Sequence, residues 1–405
     1  TVFGYRTVSD LLHHYPRRYL VRGELSDIAE LNEGDEVTVL AEVFSSSSRK
    51  LHGRKGSILE VIVPKGYFLP VTPGTKFISI GGAFASDIHG KNHHIEGVFS
   101  DHVTEIKLIN QDAEIVQLSQ NEPLFIQTAG SLGLTGVIVE LTLKLKKIET
   151  SYIQQTSIKA KKLEEILQLF EDYKNFTYSV AWIDCLAKGP SMGKSILLLG
   201  EHAKKEELKN TNDTLSLHKK AFLNVPFYLP SFTLNSFFIK IFNFLFYAKN
   251  ISKVQTTTIH YDPYFYPLDK INNWNRIYGK KGFVQYQFVL PKENSYEGVS
   301  KVLKILAENN LGSFLAVLKL FGKSHENRYL EFPIEGYTLA VDIKIDDALW
   351  DVLDKLDSIV TELGGKIYLT KDARMLNDSF EKQYPHQIPV EKKFQSDQII
   401  RLKNM

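Results

Sequence analysis

The sequence predicts an α+β protein of two or three domains. Its 405 residues are 43% hydrophobic and 12% aromatic, which is enough apolar material for more than one folded core. From residue 64 onward, short runs rich in apolar and β-branched residues alternate with segments of helical periodicity, and this alternation continues to the end of the chain. Residues 1–63 have a different pattern, with strand-like runs on either side of a basic turn.

Strands and helices can be assigned individually in the second region. Strand-like runs lie at residues 136–143, 283–290, 313–320, 337–343 and 366–369. Amphipathic helices are predicted at residues 161–173 and 347–363. Their apolar positions recur every three or four residues, and Gly364 with Gly365 ends the second helix.

The first 63 residues predict one helix and two strands. An amphipathic helix at residues 7–15 is stopped by Pro16, and strands follow at residues 36–43 and 56–63, around the basic turn at 49–55. Residues 7–19 and 33–39 together resemble the N-terminal wedge of RecG-type DNA helicases, in which an OB-type barrel grips a DNA junction. The resemblance implies a partial OB-like segment, because two strands cannot complete a five-stranded barrel.

Charge and motif content do not favour a DNA motor. The best phosphate-loop candidate, residues 188–195, has Lys188 where the first glycine of G-x-x-x-x-G-K-[ST] belongs, and no acidic partner strand accompanies it. The formal net charge of +2 gives no overall electrostatic case for nucleic acid or an anionic membrane. Cys185 is the single cysteine, which excludes internal disulfides and cysteine-based zinc clusters.

Membrane-spanning and export signals are not found in the sequence. It contains no run of about 18 apolar residues and no N-terminal apolar segment of a signal peptide. We therefore expect the protein in the cytoplasm or at the periphery of a membrane. Residues 221–247 are rich in phenylalanine but are interrupted by Pro226, Pro230 and Lys240. They predict either a buried core segment or an aromatic surface that meets lipid or an apolar substrate.

A glycine- and histidine-rich stretch at residues 81–94 is the strongest candidate for a functional site. Glycine lets the backbone approach a flat or phosphorylated ligand closely. Residues 76–80 are strand-like and are followed by the predicted start of a helix. The backbone N–H groups at that helix N-terminus would point at such a ligand. The stretch predicts a cofactor pocket, and the alternative is a glycine turn followed by a solvated, histidine-rich loop.

Other segments extend this candidate site. Residues 73–75 predict a tight turn, and residues 130–136 form a second glycine-dense loop that leads into a strand. Lys319 is a lone cation inside an apolar strand, where it either extends to solvent or is held in a site that needs its charge. Lys371 follows the strand predicted at 366–369.

From about residue 64 to the end, the chain resembles the vanillyl-alcohol-oxidase-like family of FAD enzymes. Within it, the chain closely resembles the flavin-dependent oxidase subunits of decaprenylphosphoryl-β-D-ribose 2′-epimerase. The sequence motifs that carry the resemblance lie, in chain order, at residues 73–75, 87–94, 133–136, 274–276, 285–288, 319–322 and 371–374.

The resemblance implies a particular domain order. A split FAD-binding domain of the PCMH type is expected at residues 64–152 and 366–405. It encloses a substrate domain at residues 153–365, whose antiparallel sheet is covered by helices on one face, and the partial OB-like segment at residues 1–63 precedes both. The first half of the family's FAD domain, with its Arg-Gly-x-Gly-x-Ser diphosphate loop, is expected to be missing.

The activity implied by the resemblance is oxidation of the 2′-hydroxyl of a polyprenyl-phosphate-linked ribose to the 2′-keto sugar. This is the first step of epimerisation to arabinose in cell-wall arabinan biosynthesis. Hydride would pass to FAD, and an NAD-dependent short-chain reductase would reduce the ketone. Peripheral membrane contact is compatible with this substrate, and nucleic acid is not expected as a partner.

Site residues follow from the same resemblance. The implied catalytic residues are His89, Lys319 and Lys371. The implied cofactor-binding residues are Gly74, Thr75, Gly81, Gly82, Ser86, His89, Gly90, Asn92, Gly133, Thr135, Gly136 and Lys371. The implied substrate-binding residues are Lys91, Trp182, Phe265, Gln285, Gln287, Lys319, Thr338 and Ala340. No metal is implied.

One substitution within the site separates this chain from the family. The family has a cysteine in the substrate pocket at the position of Ala340. Two alternatives to the oxidase interpretation are a branched-DNA-binding fragment of a RecG-type helicase and a flavin-free, inactive chimera. Most of the chain supports the oxidase, because the helicase resemblance is confined to residues 1–63.

Overall fold

The computed structural model describes residues 48–50, 57–59, 65–209, 213–217, 223–230, 235–325, 328–385, 394 and 397–404. The chain divides into two compact units. One comprises residues 1–69 and 144–148, and the other comprises residues 70–143 and 149–405.

The described elements are numbered along the chain. The strands are β1 (Ser48–Lys50), β2 (Ser57–Leu59), β3 (Tyr67–Phe68), β4 (Val103–Ile109), β5 (Ile115–Ser119), β6 (Val137–Leu143), β7 (Lys146–Lys147), β8 (Tyr152–Ala160), β9 (Tyr178–Ile183), β10 (Ser195–His202), β11 (Leu223–Asn224), β12 (Val254–His260), β13 (Ile271–Asn272), β14 (Phe283–Pro291), β15 (Ala316–Phe321), β16 (Gly336–Lys344) and β17 (Lys366–Ile367). The α-helices are α1 (Ile80–Ala85), α2 (His93–Glu96), α3 (Pro123–Thr128), α4 (Leu163–Asp172), α5 (Ser236–Lys249), α6 (Tyr261–Phe265), α7 (Lys292–Glu308), α8 (Leu349–Glu362), α9 (Asn377–Gln383) and α10 (Asp397–Asn404).

The smaller unit contains two short antiparallel pairs, β1 with β2 and β3 with β7. β2 lies within the strand predicted at residues 56–63. Arg49 and Lys50 lie in strand β1 instead of the predicted basic turn, because their backbones pair with Ile58 and Ser57. The predicted helix at 7–15 and strand at 36–43 lie outside the described residues, and the OB-like segment therefore stays a prediction.

The larger unit is built on an eight-stranded sheet with the order β12-β8-β10-β9-β15-β16-β14-β17. Every neighbouring pair in this sheet is antiparallel. Alternate side chains of the central strands, such as Phe288, Leu318 and Leu339, are fully buried in one large apolar core. That core also contains the apolar faces of helices α4, α7 and α8, so the helices cover one face of the sheet.

Helix α8 ends where the sequence places its stop signal. Helix α8 buries Leu349, Leu353, Leu356 and Val360 along one face. Gly364 follows it in the left-handed region, at φ 72°, as is usual after a helix C-terminus. The helices predicted at 161–173 and 347–363 are confirmed as α4 and α8, each a little shorter than predicted.

A three-stranded antiparallel sheet, β5-β4-β6, forms a second layer within the same unit. Its core contains Phe84 of α1 and Phe125 of α3, whose rings lie 5.1 Å apart. Gly136 adopts φ 148°, and a Cβ atom there would lie 2.1 Å from the carbonyl oxygen of Ile109. The glycine is therefore needed for the close approach of the 130–136 loop to β4.

Several predicted boundaries are wrong for local reasons. Residues 76–79 are irregular instead of a strand, because Ser79 caps α1 by accepting a hydrogen bond from the Gly82 amide at 3.1 Å. β15 begins at Ala316 instead of residue 313, since the Ser313 amide donates to Cys185 Sγ. β17 ends at Ile367 because residues 369–371 form a 3₁₀ turn.

The structure also bears on three features considered in the sequence: the phosphate-loop candidate, membrane spans and metal sites. The phosphate-loop candidate continues directly into strand β10 at Ser195, whereas a phosphate loop opens a helix. In the described ranges, no helix is both long and apolar enough to cross a membrane. The same ranges contain no cluster of histidine, cysteine or carboxylate side chains that could hold a metal ion.

Candidate functional site

The face of the large sheet that is not covered by the helical core carries a group of polar side chains. In antiparallel pairs, directly opposed residues project from the same face, and alternate residues along a strand share it. The strand register therefore places three directly opposed pairs on the same face: Gln285 with Asp342, Gln287 with Ala340, and Lys319 with Thr338. Val317 links this group to Trp182 on β9.

His89 joins this polar face through Gln287. The Gln287 amide nitrogen Nε2 donates to His89 Nε2 at 2.9 Å and to Thr338 Oγ1 at 3.0 Å. Thr338 uses its own hydroxyl hydrogen on the carbonyl oxygen of Phe288, so its Oγ1 can accept from Gln287. Because His89 Nε2 accepts a hydrogen bond, the proton of the neutral imidazole lies on Nδ1.

The imidazole of His89 lies among aromatic rings. Its centroid is 4.8 Å from that of Phe321, 5.5 Å from that of Phe332 and 5.0 Å from that of Tyr368. Burial, reinforced by the charges of Lys319 and Lys371, lowers the pKa of His89 well below its usual value. His89 is therefore neutral at physiological pH.

Two buried polar atoms of this pair lack a protein partner. His89 Nδ1 and Gln287 Oε1 accept or donate no hydrogen bond within the described part of the chain. An unpaired buried polar group costs about 1–3 kcal/mol, and such groups are rare in native structures. An unpaired donor, His89 Nδ1, beside an unpaired acceptor, Gln287 Oε1, is typical of a site that binds a ligand.

Lys319 on this face lies within range of the charges of two further lysines, Lys371 and Lys91. Burial lowers the pKa of Lys319 well below its usual value, and the charges of Lys371 and Lys91 lower it further. Burial also lowers the pKa of Lys371 to about 8, although Asp342 opposes the shift, and lowers the pKa of Lys91 to about 7. Cations held this close together attract an anion strongly, because its charge would raise their pKa values again.

Lys91 is held by residues of helix α6. Its ammonium donates to the carbonyl oxygen of Phe265 at 3.1 Å and lies 5.5 Å from the centroid of the Tyr264 ring. Phe265 is fully buried and packs edge to face against Tyr178, at 4.9 Å between centroids. The Lys91 ammonium also lies 5.4 Å from the centroid of the Phe265 ring, so helix α6 positions Lys91 through one hydrogen bond and two aromatic rings.

Asp342 is a site residue that the sequence prediction missed. It is buried, burial raises its pKa to about 6, and Gln285 Nε2 donates to its Oδ1 at 2.5 Å. The nearby charge of Lys371 lowers the pKa of Asp342. The alternation of strand β16 could have revealed it, because Asp342 is two residues beyond Ala340 and four beyond Thr338.

The stretch at 87–94 is folded into the protein. His89 and His93 are buried, and the amide nitrogen of Asn92 donates to the carbonyl oxygen of Pro70 at 2.8 Å. A Cβ atom at Gly90 would lie 2.4 Å from Asn92 Oδ1 and 3.2 Å from the carbonyl oxygen of Thr72, so a side chain has no room. The alternative of a solvated, histidine-rich loop is therefore wrong.

The other predicted cofactor residues fall into three groups. Gly81 and Gly82 lie inside helix α1, and Ser86 ends it, with its carbonyl oxygen accepting from the Tyr368 hydroxyl at 3.1 Å. Gly74 and Gly133 adjoin open space, with nothing within 4 Å of a Cβ atom built on either. The remaining two are held by neighbours: Thr75 Oγ1 donates to Asp269 at 2.8 Å, and Thr135 is buried beside Ser131.

An ion cluster behind His89 was also missed. Arg328, in the loop between β15 and β16, donates to Asp87 Oδ2 and, at 3.1 Å, to Asp101 Oδ1. The backbone and hydroxyl of Ser100 also donate to Asp87, at 3.0 and 3.1 Å, and His325 pairs with Asp101 at 2.8 Å. Asp87 lies two residues before His89, in the left-handed region at φ 38°. The cluster thus fixes the turn that presents His89.

Comparison with known proteins identifies the family of the chain. Residues 54–119 match the family described as FAD binding domain, a range that begins inside the helicase-like segment and includes His89 and Lys91. Over 338 residues, 81% of this chain and 72% of the relative, the chain is 36% identical to decaprenylphosphoryl-beta-D-ribose oxidase of Mycolicibacterium smegmatis. Over 336 residues, 81% of this chain and 91% of the relative, it is 26% identical to a Streptomyces coelicolor protein named "Uncharacterized protein in mprA 5'region".

The identity and coverage of the first relative are high enough to establish the family. FAD is the cofactor, and its binding domain is of the PCMH type with mixed α and β elements. The chain belongs to the decaprenylphosphoryl-β-D-ribose oxidase family and is an FAD-dependent oxidoreductase.

Proposed function

We propose that this protein oxidises the 2′-hydroxyl of a ribose linked to a polyprenyl phosphate and produces the 2′-keto sugar as the first step of epimerisation to arabinose. The observation that carries the proposal is that Lys319, which lies within range of the charges of two further lysines, shares one face of the sheet with the His89–Gln287 pair. Cations bind the negative charge of a phosphodiester, and hydrogen-bond donors and acceptors within about 3 Å orient a sugar hydroxyl.

The residues of this face fit a flavin. His89 Nδ1 offers an unpaired donor and Gln287 Oε1 an unpaired acceptor within the described residues, and an isoalloxazine edge has both kinds of group. Lys371 is close enough to His89 for its charge to lower the pKa of the imidazole, and a cation there favours an electron-rich reduced ring. When bound, FAD accepts the hydride that leaves the 2′ carbon as the C=O bond forms.

Lys319 and Lys91 suit the phosphate of the substrate. Both carry pKa values lowered by burial, and a bound phosphodiester would restore their charged forms. Gln285 and Thr338 flank them on the same face and can orient the sugar. Gly74, Thr75, Gly133 and Thr135 are assigned to the cofactor as part of this proposal, since open space adjoins the two glycines.

The proton of the 2′-hydroxyl needs a base, and the geometry favours a lysine over His89. The imidazole accepts from Gln287 at Nε2 and carries its proton at Nδ1, so neither nitrogen is free to accept another proton. Lys371, with a pKa of about 8, is partly neutral near that pH and can take the proton. His89 then acts as a donor to the bound ring.

The domain assignment belongs to the same proposal. We assign FAD binding to residues 64–152 and 366–405 and substrate binding to residues 153–365. The eight-stranded sheet lies in the second range except for Tyr152, the first residue of β8, and strand β17 (Lys366–Ile367). A reductase of the NAD-dependent short-chain class is proposed to consume the 2′-keto product.

Substrate affinity is expected to depend on pH in one direction. As the pH rises through 7 and 8, Lys91 and Lys371 lose their protons and the site loses positive charge. KM for a phosphodiester substrate should therefore rise by about tenfold between pH 6 and pH 9. Over the same range kcat should rise, because more Lys371 is neutral. Initial rates at several pH values measure both, and a KM independent of pH would contradict the assignment.

Ala340 offers a chemical test of where the site lies. The Cys185 thiol is buried, and burial raises its pKa to about 12, so the wild-type protein should react slowly with a thiol reagent. Ala340 is itself only 3% exposed, but Ala340→Cys places a thiol opposite Gln287 on the sheet face that carries Lys319, where positive charge lowers the pKa of a thiol. We therefore expect labelling at least about tenfold faster than at Cys185, and protection by substrate. Mass spectrometry of the labelled protein measures this. Labelling that is no faster than wild type, or that substrate leaves unchanged, would count against the site.

The proposed reaction is tested directly by product analysis. The FAD-loaded protein is incubated with a prenyl-phosphoryl riboside, and the product is examined for the loss of two hydrogen atoms at the 2′ position. The matched control is the prenyl riboside without phosphate, which should be a far poorer substrate because the lysines would have no anion to bind. Equal turnover of the two compounds would overturn the phosphate assignment.

A further inference from the structure

Helix α5 presents its apolar side chains outward. Its polar residue Asn243 is buried and donates to Asp184 Oδ1 at 2.6 Å, and Ile239 packs inward beside it. In contrast, the side chains of Phe237, Phe244 and Leu245 are 64%, 64% and 59% exposed. Soluble proteins seldom expose a continuous apolar face of this kind unless it meets a partner or a membrane.

Lysines flank this apolar face, and the helix contains no acidic residue. At 3.6 residues per turn, Phe237, Ile241, Phe244 and Leu245 share the outward side of the helix. Lys240 and Lys249 fall on its opposite margins, from which their ammonium groups can reach lipid headgroups. At one end of the helix, the ammonium groups of Lys159 and Lys194 lie 4.6 and 4.2 Å from the centroid of the Tyr247 ring.

Aromatic contacts connect this helix with the candidate site. Phe246 packs 4.8 Å from Trp182, measured between ring centroids, and also lies 5.8 Å from Phe242 on the exposed side. Trp182 is directly opposite Val317, which is two residues from Lys319 on the same strand face. An apolar path of packed side chains, formed by Phe246, Trp182 and Val317, therefore connects the exposed helix with the strand that carries Lys319.

We propose that helix α5 docks on the surface of a lipid bilayer that carries anionic headgroups. A helix of 14 residues is about 21 Å long, too short to span a bilayer but suited to lie in the plane of its interface. The exposed phenylalanines would enter the acyl boundary while the lysines contact the headgroups. The further statement that a membrane-embedded polyprenyl phosphate reaches the site along this path rests on the proposed function.

Vesicle co-sedimentation of the full chain tests the docking. Vesicles of phosphatidylcholine alone are compared with vesicles that also contain phosphatidylglycerol. The wild type is expected to bind the anionic vesicles, and Phe237→Ser, Phe244→Ser and Leu245→Ser combined should weaken this binding by about tenfold or more. Lys240→Gln with Lys249→Gln should reduce the preference for anionic vesicles, as should high salt.

A matched control removes exposed apolar side chains elsewhere. Ile95→Ser, Ile115→Ser and Leu376→Ser change residues that are 49%, 69% and 49% exposed and lie outside the helix. This variant should bind vesicles as the wild type does. Binding that is absent in the wild type, or equal in the helix variant, would overturn the proposal. Self-association that the helix variant abolishes, without vesicle binding, would instead identify a second copy as the occupant.

A failure of the docking proposal can be distinguished from a failure of the proposed function. Oxidation of a short-chain, water-soluble prenyl-phosphoryl riboside should be unchanged in the helix variant, because its three substitutions lie outside the site. Vesicle binding without oxidation of any such substrate would leave the docking supported and the proposed function rejected. Oxidation of the substrate without vesicle binding would support the proposed function and reject the docking.

Discussion

Replacing Lys319 by methionine is expected to lower kcat/KM for a prenyl-phosphoryl riboside by at least about 100-fold while it raises the thermal stability of the protein. Methionine keeps the unbranched apolar stem of the side chain and removes the ammonium. Activity falls because the phosphate loses a charged partner. Stability rises because burial and the charges of Lys371 and Lys91 disfavour a charge at this position in the absence of ligand.

The sign of the stability effect follows from the pKa. Folding lowers the pKa of Lys319 below its unfolded value, so the unfolded chain binds more protons and the stability of the wild type increases as the pH rises toward that value. We expect Lys319→Met to raise the free energy of unfolding by about 0.5–2 kcal/mol near neutral pH. This difference from the wild type should therefore become smaller in alkaline buffer. Denaturant unfolding at several pH values measures it. Lys323→Met, at an exposed position of the same segment, is the control and should change neither property.

Removal of Arg328 is expected to cause the largest loss of stability. Arg328→Met leaves the Asp87 carboxylate buried without its cation, and breaking a buried ion pair in this way costs about 3–5 kcal/mol. FAD retention should fall as well, because Asp87 holds the turn that presents His89. Urea denaturation and the flavin content of the purified protein measure the two effects.

A double-mutant cycle separates this ion pair from a general packing defect. Asp87→Asn in the Arg328→Met background removes the uncompensated charge and should recover part of the lost stability. Ser100 can still donate to the asparagine oxygen, so the turn keeps a partner. If Asp87→Asn recovers nothing, the loss stems from packing, and the proposed role of Arg328 in positioning His89 fails.

The extent to which the fold could be predicted depended on how strictly each strand alternates. Strands β14 and β16 were predicted almost to the residue, because their apolar positions pack into the helical core at every second residue. The boundary at Ala316 was missed because a side-chain contact, from the Ser313 amide to Cys185, sets it. Such a contact joins residues far apart in the sequence and leaves no local pattern.

The candidate site was predicted mainly through family resemblance, and the reason is topological. His89, Gln287 and Lys319 are far apart in the sequence and meet only because of the strand order and register. His89 and Lys319 had local signals, His89 within the glycine- and histidine-rich stretch at 81–94 and Lys319 as a cation in an apolar strand. Arg328 had none, because its partners Asp87 and Asp101 precede it by more than two hundred residues.

The visible absorption spectrum of the FAD-loaded protein, recorded without oxygen, tests the central claim most directly. A prenyl-phosphoryl riboside should bleach the protein-bound flavin, because the 2′ hydride passes to it, whereas the riboside without phosphate should bleach it far more slowly. Lys319→Met should retain the flavin spectrum and lose the bleaching. Bound flavin that the phosphorylated substrate leaves unbleached would contradict the proposed substrate, and a protein that takes up no FAD would contradict the site itself.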